Sequence, residues 1–301
     1  MATTQSYTSN YAGIQAMPYV APAIYSARSL SDTDPLLTIH ENVPGTLNVT
    51  NVTTSGTIVK DRQCDWSPTG TITKSDTTLV VSPFETQVNM CFTNLYDQWE
   101  IMERRNASNQ DWMPTEFIDF VSFQLGKTVG KKIEQLIYVG DAGNANEFDG
   151  AYVKLGTNDV QINALTSSNI IAEMDKVRSA IPDDVFVEED FSIRLSITDA
   201  KKYQEAVQNG DYRNFGPIGE VPQDFRGIPL KVAYGLTENN IIAGRNADLH
   251  FGTNLKSEIS TFGTYDMREQ GEDNLRVFSK YDLGTAVTNR TDIVWADTSA
   301  V

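Results

Sequence analysis

Histidine and cysteine are scarce in this chain of 301 residues. It contains two histidines, His40 and His250, and two cysteines, Cys64 and Cys91. Two thiols in a chain of this length exclude a disulfide-stapled scaffold, and they lack the two further ligands that a metal site needs. Nothing near His250 has the pattern of a metal triad or of a serine–histidine–aspartate order. We therefore predict no catalytic residue, no metal site and no cofactor, and we interpret His250 as a packing residue.

Basic clusters and long apolar runs are also missing. The chain has 24 Lys and Arg against 40 Asp and Glu, which gives a formal net charge of −16. Because phosphate contacts need clustered basic residues, this charge disfavours a protein that wraps nucleic acid. No apolar run approaches the ~20 residues that span a bilayer. The first ten residues lack the basic and apolar segments of a signal peptide, so we expect an intracellular product without membrane contact.

Two segments of the sequence look like ligand-binding motifs but do not match them. The triplet Gly126–Thr128 has the letters of a phosphate-binding loop, but Val121 stands where that loop requires a glycine. The triplet also lies inside a helical pattern. The carboxylates between residues 183 and 190 have no calcium-loop spacing, so we interpret them as a solvated acidic loop.

The first 27 residues carry no charged side chain and are rich in tyrosine. Pro18 and Pro22 disfavour a helix and favour extended backbone. We predict an extended arm that lies along a neighbouring copy and whose removal leaves the core folded. Its candidate interface residues are Tyr7, Tyr11, Tyr19 and Tyr25.

Residues 36–94 are rich in threonine and valine and predict a long β-hairpin. The segments GTLNVTNVTTSGTIVK and GTITKSDTTLVVSPFETQVNMCF flank a turn-rich tip, DRQCDWSPTG. Such a hairpin is not stable alone in water and needs a surface to lie on. Its basic residues either solubilise exposed strands or pair with acidic groups on another copy. The candidate interface residues here are Lys60, Arg62, Trp66 and Lys74.

Residues 115–138 predict the longest helix, because apolar residues recur every four positions from Phe117 to Ile137. Pro114 suits a first helical position. An α/β region follows, with a helix around residues 170–180 and a strand, FSIRLSI, whose inward residues include Ile197. Thr198 is the expected cap of the next helix. After Gly227 the pattern predicts strands and turns to the end of the chain.

The order of these elements resembles the major capsid protein of tailed bacteriophages, the Hong Kong 97-type fold. The segment FIDFVSFQLGKTVGKKIEQLIYVGDAG, residues 117–143, is similar to its spine helix, and residues 227–295 are similar to its closing strands. The resemblance implies an α+β fold with N-arm, extended β-hairpin loop, long spine helix, and peripheral and axial lobes. The expected boundaries are 1–40 for the N-arm, 41–92 for the extended loop, 93–143 and 251–301 for the peripheral domain, and 144–250 for the axial domain.

The resemblance also implies a function. It predicts a non-enzymatic structural subunit that forms hexamers and pentamers of an icosahedral virion around double-stranded DNA, assembled in the host cytoplasm. An acidic coat that holds DNA weakly agrees with this role. The resemblance makes a portal an expected partner, with a separate scaffolding or decoration protein as a further candidate. The short arm before the hairpin suggests a separate scaffolding protein or none. The lysine that some relatives use for a crosslink does not align with Lys60 or Lys74.

Three alternatives stay open. An encapsulin-type nanocompartment shell has the same fold, although the leucine- and arginine-rich opening helix of that family is missing from residues 1–30. A phage tail or baseplate protein would have β-rich modules without the spine helix. An enzyme or carbohydrate-binding β protein would need a pocket with convergent polar groups.

Overall fold

Over the residues that the structure describes, the strands form two six-stranded sheets and a separate hairpin. The computed structural model describes residues 9–30, 35–55, 70–91, 114–186, 188, 190–209, 224–255, 261–272 and 274–298. Elements are numbered along the chain over these residues. The α-helices among these residues are α1 (Met17–Tyr25), α2 (Pro114–Val139), α3 (Ala151–Leu155), α4 (Ile170–Ala180), α5 (Asp183–Phe186) and α6 (Ile197–Asn209).

The first sheet is mostly antiparallel. Its strands are β1 (Ser9–Ala12), β2 (Thr38–His40), β5 (Ser82–Cys91), β11 (Leu249–Thr253), β12 (Thr261–Asp266) and β13 (Asn274–Val287). They run in the order β1-β12-β13-β11-β2, and β5 pairs with β13 outside this path. The long strand β13 is therefore the strand on which the sheet is built, because β12, β11 and β5 all bond to it.

The second sheet is mixed. Its strands are β6 (Val160–Gln161), β7 (Phe191–Leu195), β8 (Asp224–Phe225), β9 (Ile228–Val232), β10 (Ile241–Arg245) and β14 (Val294–Asp297). The order is β6-β14-β10-β7-β9-β8. All five residues of β7 are buried. Helices α4 and α6 supply Met174, Val177 and Tyr203 to the apolar cluster of this sheet.

The predicted spine helix is confirmed as α2, which spans 26 residues. Val129, Ile133, Leu136 and Ile137 are buried and belong to the larger apolar cluster, together with residues of the first sheet. The side chains from Phe117 to Val121, the first part of the predicted stripe, lie outside the described residues. The Gly126–Thr128 triplet lies within the helix, as its apolar pattern predicted.

The prediction of an extended arm is wrong over residues 17–25, whereas residues 9–12 are extended. Met17–Tyr25 forms a helix, α1, which packs on α2 and buries Val20 and Ile24. Pro18 occupies the first turn, where a missing N–H costs nothing, and only Pro22 removes a bond from the helix interior. Burial of one apolar face outweighs that loss. The strand β1 also pairs within the subunit, with β12.

The predicted hairpin is confirmed as β3 (Thr46–Ser55) paired antiparallel with β4 (Thr71–Val80). Its second predicted strand is in fact two strands, because β5 begins at Ser82 and pairs with β13 over ten residues. The tip, residues 56–69, lies outside the described residues, and so does the range 92–113. Cys64 lies in the tip, and Cys91 is the last residue of β5.

Two local predictions in the α/β region are also wrong. Ile197, expected inward on a strand, is exposed and begins α6. The cap of that helix is Ser196, whose Oγ accepts a hydrogen bond from the Asp199 backbone N–H at 3.1 Å, instead of Thr198. The Ser196 hydroxyl satisfies one of the first backbone donors of the helix, and the strand ends two residues earlier than its apolar pattern predicted.

The lobe boundaries stay a prediction, but each of two strands pairs with strands that the sequence placed in a different lobe. The strand β5, expected in the extended loop of residues 41–92, is part of the first sheet. The strand β14, expected in the peripheral domain of residues 251–301, pairs with β10 and β6 in the second sheet. Backbone pairing between segments that are distant in sequence determines the sheet to which β5 and β14 each belong. The order of elements along the chain does not predict this pairing.

Candidate subunit interface

The hairpin of β3 and β4 has two faces of different character. Cross-strand pairs alternate between them, since Thr53 lies opposite Thr73 and Val52 lies opposite Lys74. We call the face with Thr53 and Thr73 the inner face, because near its base it packs on the body of the subunit. We call the face with Val52 and Lys74 the outer face.

The inner face is anchored at the base of the hairpin. Leu79 is fully buried with Val43, Val81 and Ala286, and Leu47 and Val49 pack against this small cluster. Further along, the Asn51 side-chain amide donates a hydrogen bond to Asn289 Oδ1. Beyond that contact, the described residues of the inner face are exposed hydroxyl side chains from Thr53, Ser55, Thr71, Thr73 and Ser75.

Two glycines fix where the end of β4 crosses the first sheet. Gly252 of β11 lies directly opposite Gly284 of β13. A Cβ on Gly284 would lie 2.0 Å from the Val80 carbonyl oxygen, and a Cβ on Gly252 would lie 2.8 Å from Leu79 Cδ2. We call this pair the glycine slot. Because only glycine leaves room for the crossing backbone, the slot sets the direction in which the hairpin leaves the body.

The outer face is exposed along its whole described length. It carries three apolar side chains, and Ile72 is 75% exposed, Val52 56% and Val80 54%. Val52 and Ile72 are diagonal neighbours at the distal end. Single exposed apolar residues are common, but two adjacent ones on a ribbon that buries neither are typical of a contact surface.

Charge on the outer face is balanced. Lys74 and Asp76 form an ion pair at 3.2 Å, and the Thr50 hydroxyl donates to Asp76 at 2.7 Å. The Thr50 hydrogen bond, followed by Lys74, lowers the pKa of the Asp76 carboxyl below its ordinary value. The described hairpin thus has one positive and one negative side chain in a chain of net charge −16. Two copies can approach here without the repulsion that the acidic remainder creates.

A second exposed surface lies on the first sheet. Tyr265 of β12 and Phe278 of β13 stack with ring centroids 5.3 Å apart. They line a groove of about 750 Å³ whose other residues include Arg276, Lys280 and Glu85. Lys280 and Glu85 pair at 3.7 Å. This surface therefore combines an exposed tyrosine ring and a half-buried phenylalanine ring with mixed charge.

Of the predicted interface residues on the hairpin, the structure describes only Lys74. Its side chain is exposed and lies on the outer face beside Val52. Lys60, Arg62 and Trp66 lie outside the described residues, as does Tyr7 in the arm. Contact of these residues with a neighbour stays a prediction.

The three described tyrosines of the arm contact their own subunit. Tyr11 stacks on Tyr19 at 5.1 Å, and Tyr19 stacks on Phe262 at 4.8 Å. The Tyr25 hydroxyl donates to Glu41 at 2.5 Å. All three side chains are half-buried, so each leaves some surface for a further contact.

Sequence reasoning missed that the two histidines meet. His40 Nε2 and His250 Nδ1 lie 3.1 Å apart, and His250 Nε2 lies 3.3 Å from the Thr288 hydroxyl oxygen. His250 is buried, which agrees with its interpretation as a packing residue. A separation of 210 residues gives no local signal. The chain has only two histidines, and this scarcity was the one indication in the sequence that they could lie together.

Other classes of site find no support among the described residues. That part of the chain contains no group of three or more His, Cys, Asp or Glu side chains arranged to hold a metal ion. None of the helices described there combines the length and apolar character required to cross a bilayer.

Comparison with known proteins gives matches in structure only. No family model matches the sequence, and no curated protein does. Among solved structures, the chain is similar to one from the satellite phage P4 procapsid that includes the size determination protein. The TM-score is 0.63 at 9% identity, covering 93% of this chain and 90% of the other.

Two further structures show the range of the similarity. A chain from Gordonia phage Cozz matches with a TM-score of 0.58 at 10% identity, over 88% of this chain and 85% of the other. A virus-like particle from Pyrococcus furiosus matches with a TM-score of 0.52 at 11% identity, over 94% and 99%. The hairpin, the spine helix, the α/β region and the closing strands follow one another in the predicted order, and the chain has the α+β, Hong Kong 97-type fold of phage major capsid proteins.

Proposed function

We propose that this chain is the structural subunit of an icosahedral phage head, and that it self-assembles into hexamers and pentamers around double-stranded DNA. The observation that carries the proposal is the hairpin, a two-stranded ribbon whose outer face exposes Val52 and Ile72. A ribbon of two strands is marginally stable in water unless it packs on a surface. A neighbouring copy supplies that surface in a shell.

The electrostatics support the same function. Copies of a chain with net charge −16 repel one another except where local charge is balanced. The hairpin outer face is balanced by Lys74 and Asp76, and the groove beside Tyr265 is balanced by Lys280 and Glu85. Both surfaces are thus suited to contacts between copies. The acidic remainder holds packaged DNA weakly, which keeps it mobile for entry and exit.

Two variants on adjacent residues of β4 test the role of the outer face. Ile72 lies on the outer face, Thr73 lies on the inner face, and both are exposed. We expect Ile72→Asp to abolish particles seen by electron microscopy, because it places a charge in an apolar contact. Thr73→Asp adds the same charge and should assemble. Normal shells from Ile72→Asp, with both variants equally stable as subunits, would refute the proposal.

The same micrographs test the function as a whole. Purified wild-type chain should form closed particles or capsomers, and a stable monodisperse monomer at all concentrations would contradict a shell subunit. A portal and a separate scaffolding or decoration protein are the partners we expect in the infected cell. Neither an active site nor a cofactor enters this function.

An encapsulin-like nanocompartment shell is the second candidate. The similarity to the virus-like particle from Pyrococcus furiosus, which covers 94% of this chain, favours keeping it. The content of particles from the native source separates the two functions. Double-stranded DNA inside supports the phage head, and a defined protein cargo without DNA supports the nanocompartment.

A further inference from the structure

The two histidines lie where an edge strand meets the body of the subunit. His40 is the last residue of β2, which is three residues long and pairs in parallel with β11 at the edge of the first sheet. His250 is the second residue of β11. Their imidazole nitrogens lie 3.1 Å apart, which is the distance of an N–H···N hydrogen bond.

This hydrogen bond depends on the protonation of both rings. A neutral imidazole has one donor and one acceptor, so one ring can donate to the other. With one added proton the bond persists, because one nitrogen still accepts. With two, an N–H faces an N–H at 3.1 Å between two positive charges, and the contact becomes repulsive.

Other contacts also hold β2 and its flanks, including the three-residue ladder with β11 and the buried side chains of Leu37 and Val43. Thr38 Oγ1 donates to the Asn246 carbonyl at 3.3 Å, the Tyr25 hydroxyl donates to Glu41, and the Leu255 N–H donates to the Glu41 carbonyl at 3.2 Å. The chain then reaches the hairpin within six residues, where β3 begins at Thr46. The buried Val43 between β2 and β3 belongs to the small cluster under the hairpin, so movement of β2 is passed on to the base of the hairpin.

The surroundings favour neutral rings. Burial lowers the pKa of His40, and burial together with the nearby His40 lowers the pKa of His250 to about 4. Tyr138 and His250 both line one small cavity. The Thr288 hydroxyl forms hydrogen bonds with both His250 and Asp248. The titratable groups on the surrounding elements are Glu41 directly after β2, Asp248 before β11, Asp282 on β13 and Tyr138 on α2.

We propose that the His40–His250 pair is an acid-sensitive latch, which holds β2 on β11 while at least one ring is neutral and releases it when both are protonated. Release loosens the base of the hairpin and frees it to change direction relative to the body. The latch works within one subunit, so it does not depend on the proposed assembly. Acid is the trigger, and the hairpin is the part that responds.

The sign of the pH dependence follows from the pair. In the unfolded chain both histidines bind protons near pH 6.5, whereas the folded pair resists them. The unfolded state therefore binds more protons between about pH 6.5 and pH 4, so the stability that the neutral pair contributes is lost as pH falls through this window.

Two measurements test the latch. In hydrogen exchange corrected for intrinsic rates, residues 38–49 of the wild type should lose about tenfold protection between pH 7 and pH 4.5, while β7 keeps its protection. The variant His40→Gln retains a donor and an acceptor near the same place and cannot become charged. Its exchange at residues 38–49 should change less than threefold over the same range. Equal acid-induced exchange in the wild type and in His40→Gln overturns the latch.

The second measurement needs no variant to fold. Because the chain has only two histidines, ¹⁵N-histidine NMR of the wild type can follow both rings during titration. The latch predicts two separate protonation steps, the second well below the ordinary histidine pKa and accompanied by the exchange at residues 38–49. Independent titration of both rings near pH 6.5 overturns it.

Discussion

Individual residues hold the hairpin and the arm on the body through close contacts. Glu134 is the clearest polar example, because it is buried and accepts three hydrogen bonds. The Ser29 backbone N–H donates at 2.9 Å, the Ser29 hydroxyl at 2.7 Å and the Tyr234 backbone N–H at 3.2 Å. One carboxylate of the spine helix thus joins the segment after α1 to the loop that follows β9.

Replacing this carboxylate should cost much of the subunit's stability. We expect Glu134→Ala to lower the free energy of unfolding by about 3 kcal/mol, because it leaves buried donors without an acceptor. Glu134→Gln keeps one accepting oxygen and should cost about half as much. Urea denaturation measures both against Glu205→Ala, an exposed glutamate on α6. A Glu134→Ala protein as stable as that control would contradict the network.

The glycine slot gives a second prediction at this scale. In Gly284→Ala the new methyl meets the Val80 backbone carbonyl, which cannot move without moving β4. In Gly252→Ala it meets the end of the flexible Leu79 side chain. We expect Gly284→Ala to cost about 1–3 kcal/mol and Gly252→Ala clearly less, measured by denaturation. Equal costs would mean that the crossing is not fixed by the backbone.

At the scale of elements, the helices α1 and α2 pack closely against each other. Ser26 Oγ donates to the Gly126 carbonyl at 3.0 Å, and a Cβ on Gly130 would lie 2.8 Å from the Ala23 carbonyl oxygen. A Cβ on Gly126 would lie 3.4 Å from Ala23 Cα, which is ordinary contact. The two helices can therefore pack this closely only while position 130 has no side chain.

This difference predicts how α1 can be detached. Gly130→Val should displace α1 and expose the α2 surface that Val20 and Ile24 cover, whereas Gly126→Ala should leave the pair intact. Limited proteolysis within residues 17–25 and the melting temperature report the difference. A Gly130→Val protein with unchanged protection of α1 would contradict the tight crossing. The same packing means that deleting residues 1–25 should destabilise the core, contrary to what the uncharged sequence suggested.

The elements also show what sequence could and could not predict. The spine helix and the hairpin were predicted because their patterns are local, with apolar residues four apart in α2 and alternation in β3 and β4. The helix α1 was missed because its two prolines carry a strong local signal, and burial against α2 overrode it. The glycine slot and the histidine pair are meetings of distant residues, and periodicity within one segment cannot encode such meetings.

For the whole molecule, net charge sets how readily copies associate. At about 10 mM salt the screening length is about 30 Å, so two acidic subunits repel each other over distances close to the size of a subunit. At about 150 mM it falls to about 8 Å, and contacts through the balanced hairpin and groove can form. We expect particle yield by light scattering to rise between these concentrations. A yield that falls with salt would mean that opposite charges on two subunits drive association.

The positions of β13 and β14 make the two sheets depend on one segment. The strand β13 bonds to three neighbours in the first sheet, and β14 lies between β6 and β10 in the second. Both strands lie between Asn274 and Asp297, so this one stretch supplies the central strand of one sheet and an inner strand of the other. Their partners are distant in sequence, so the two sheets cannot form one after the other along the chain, because both wait for the same segment.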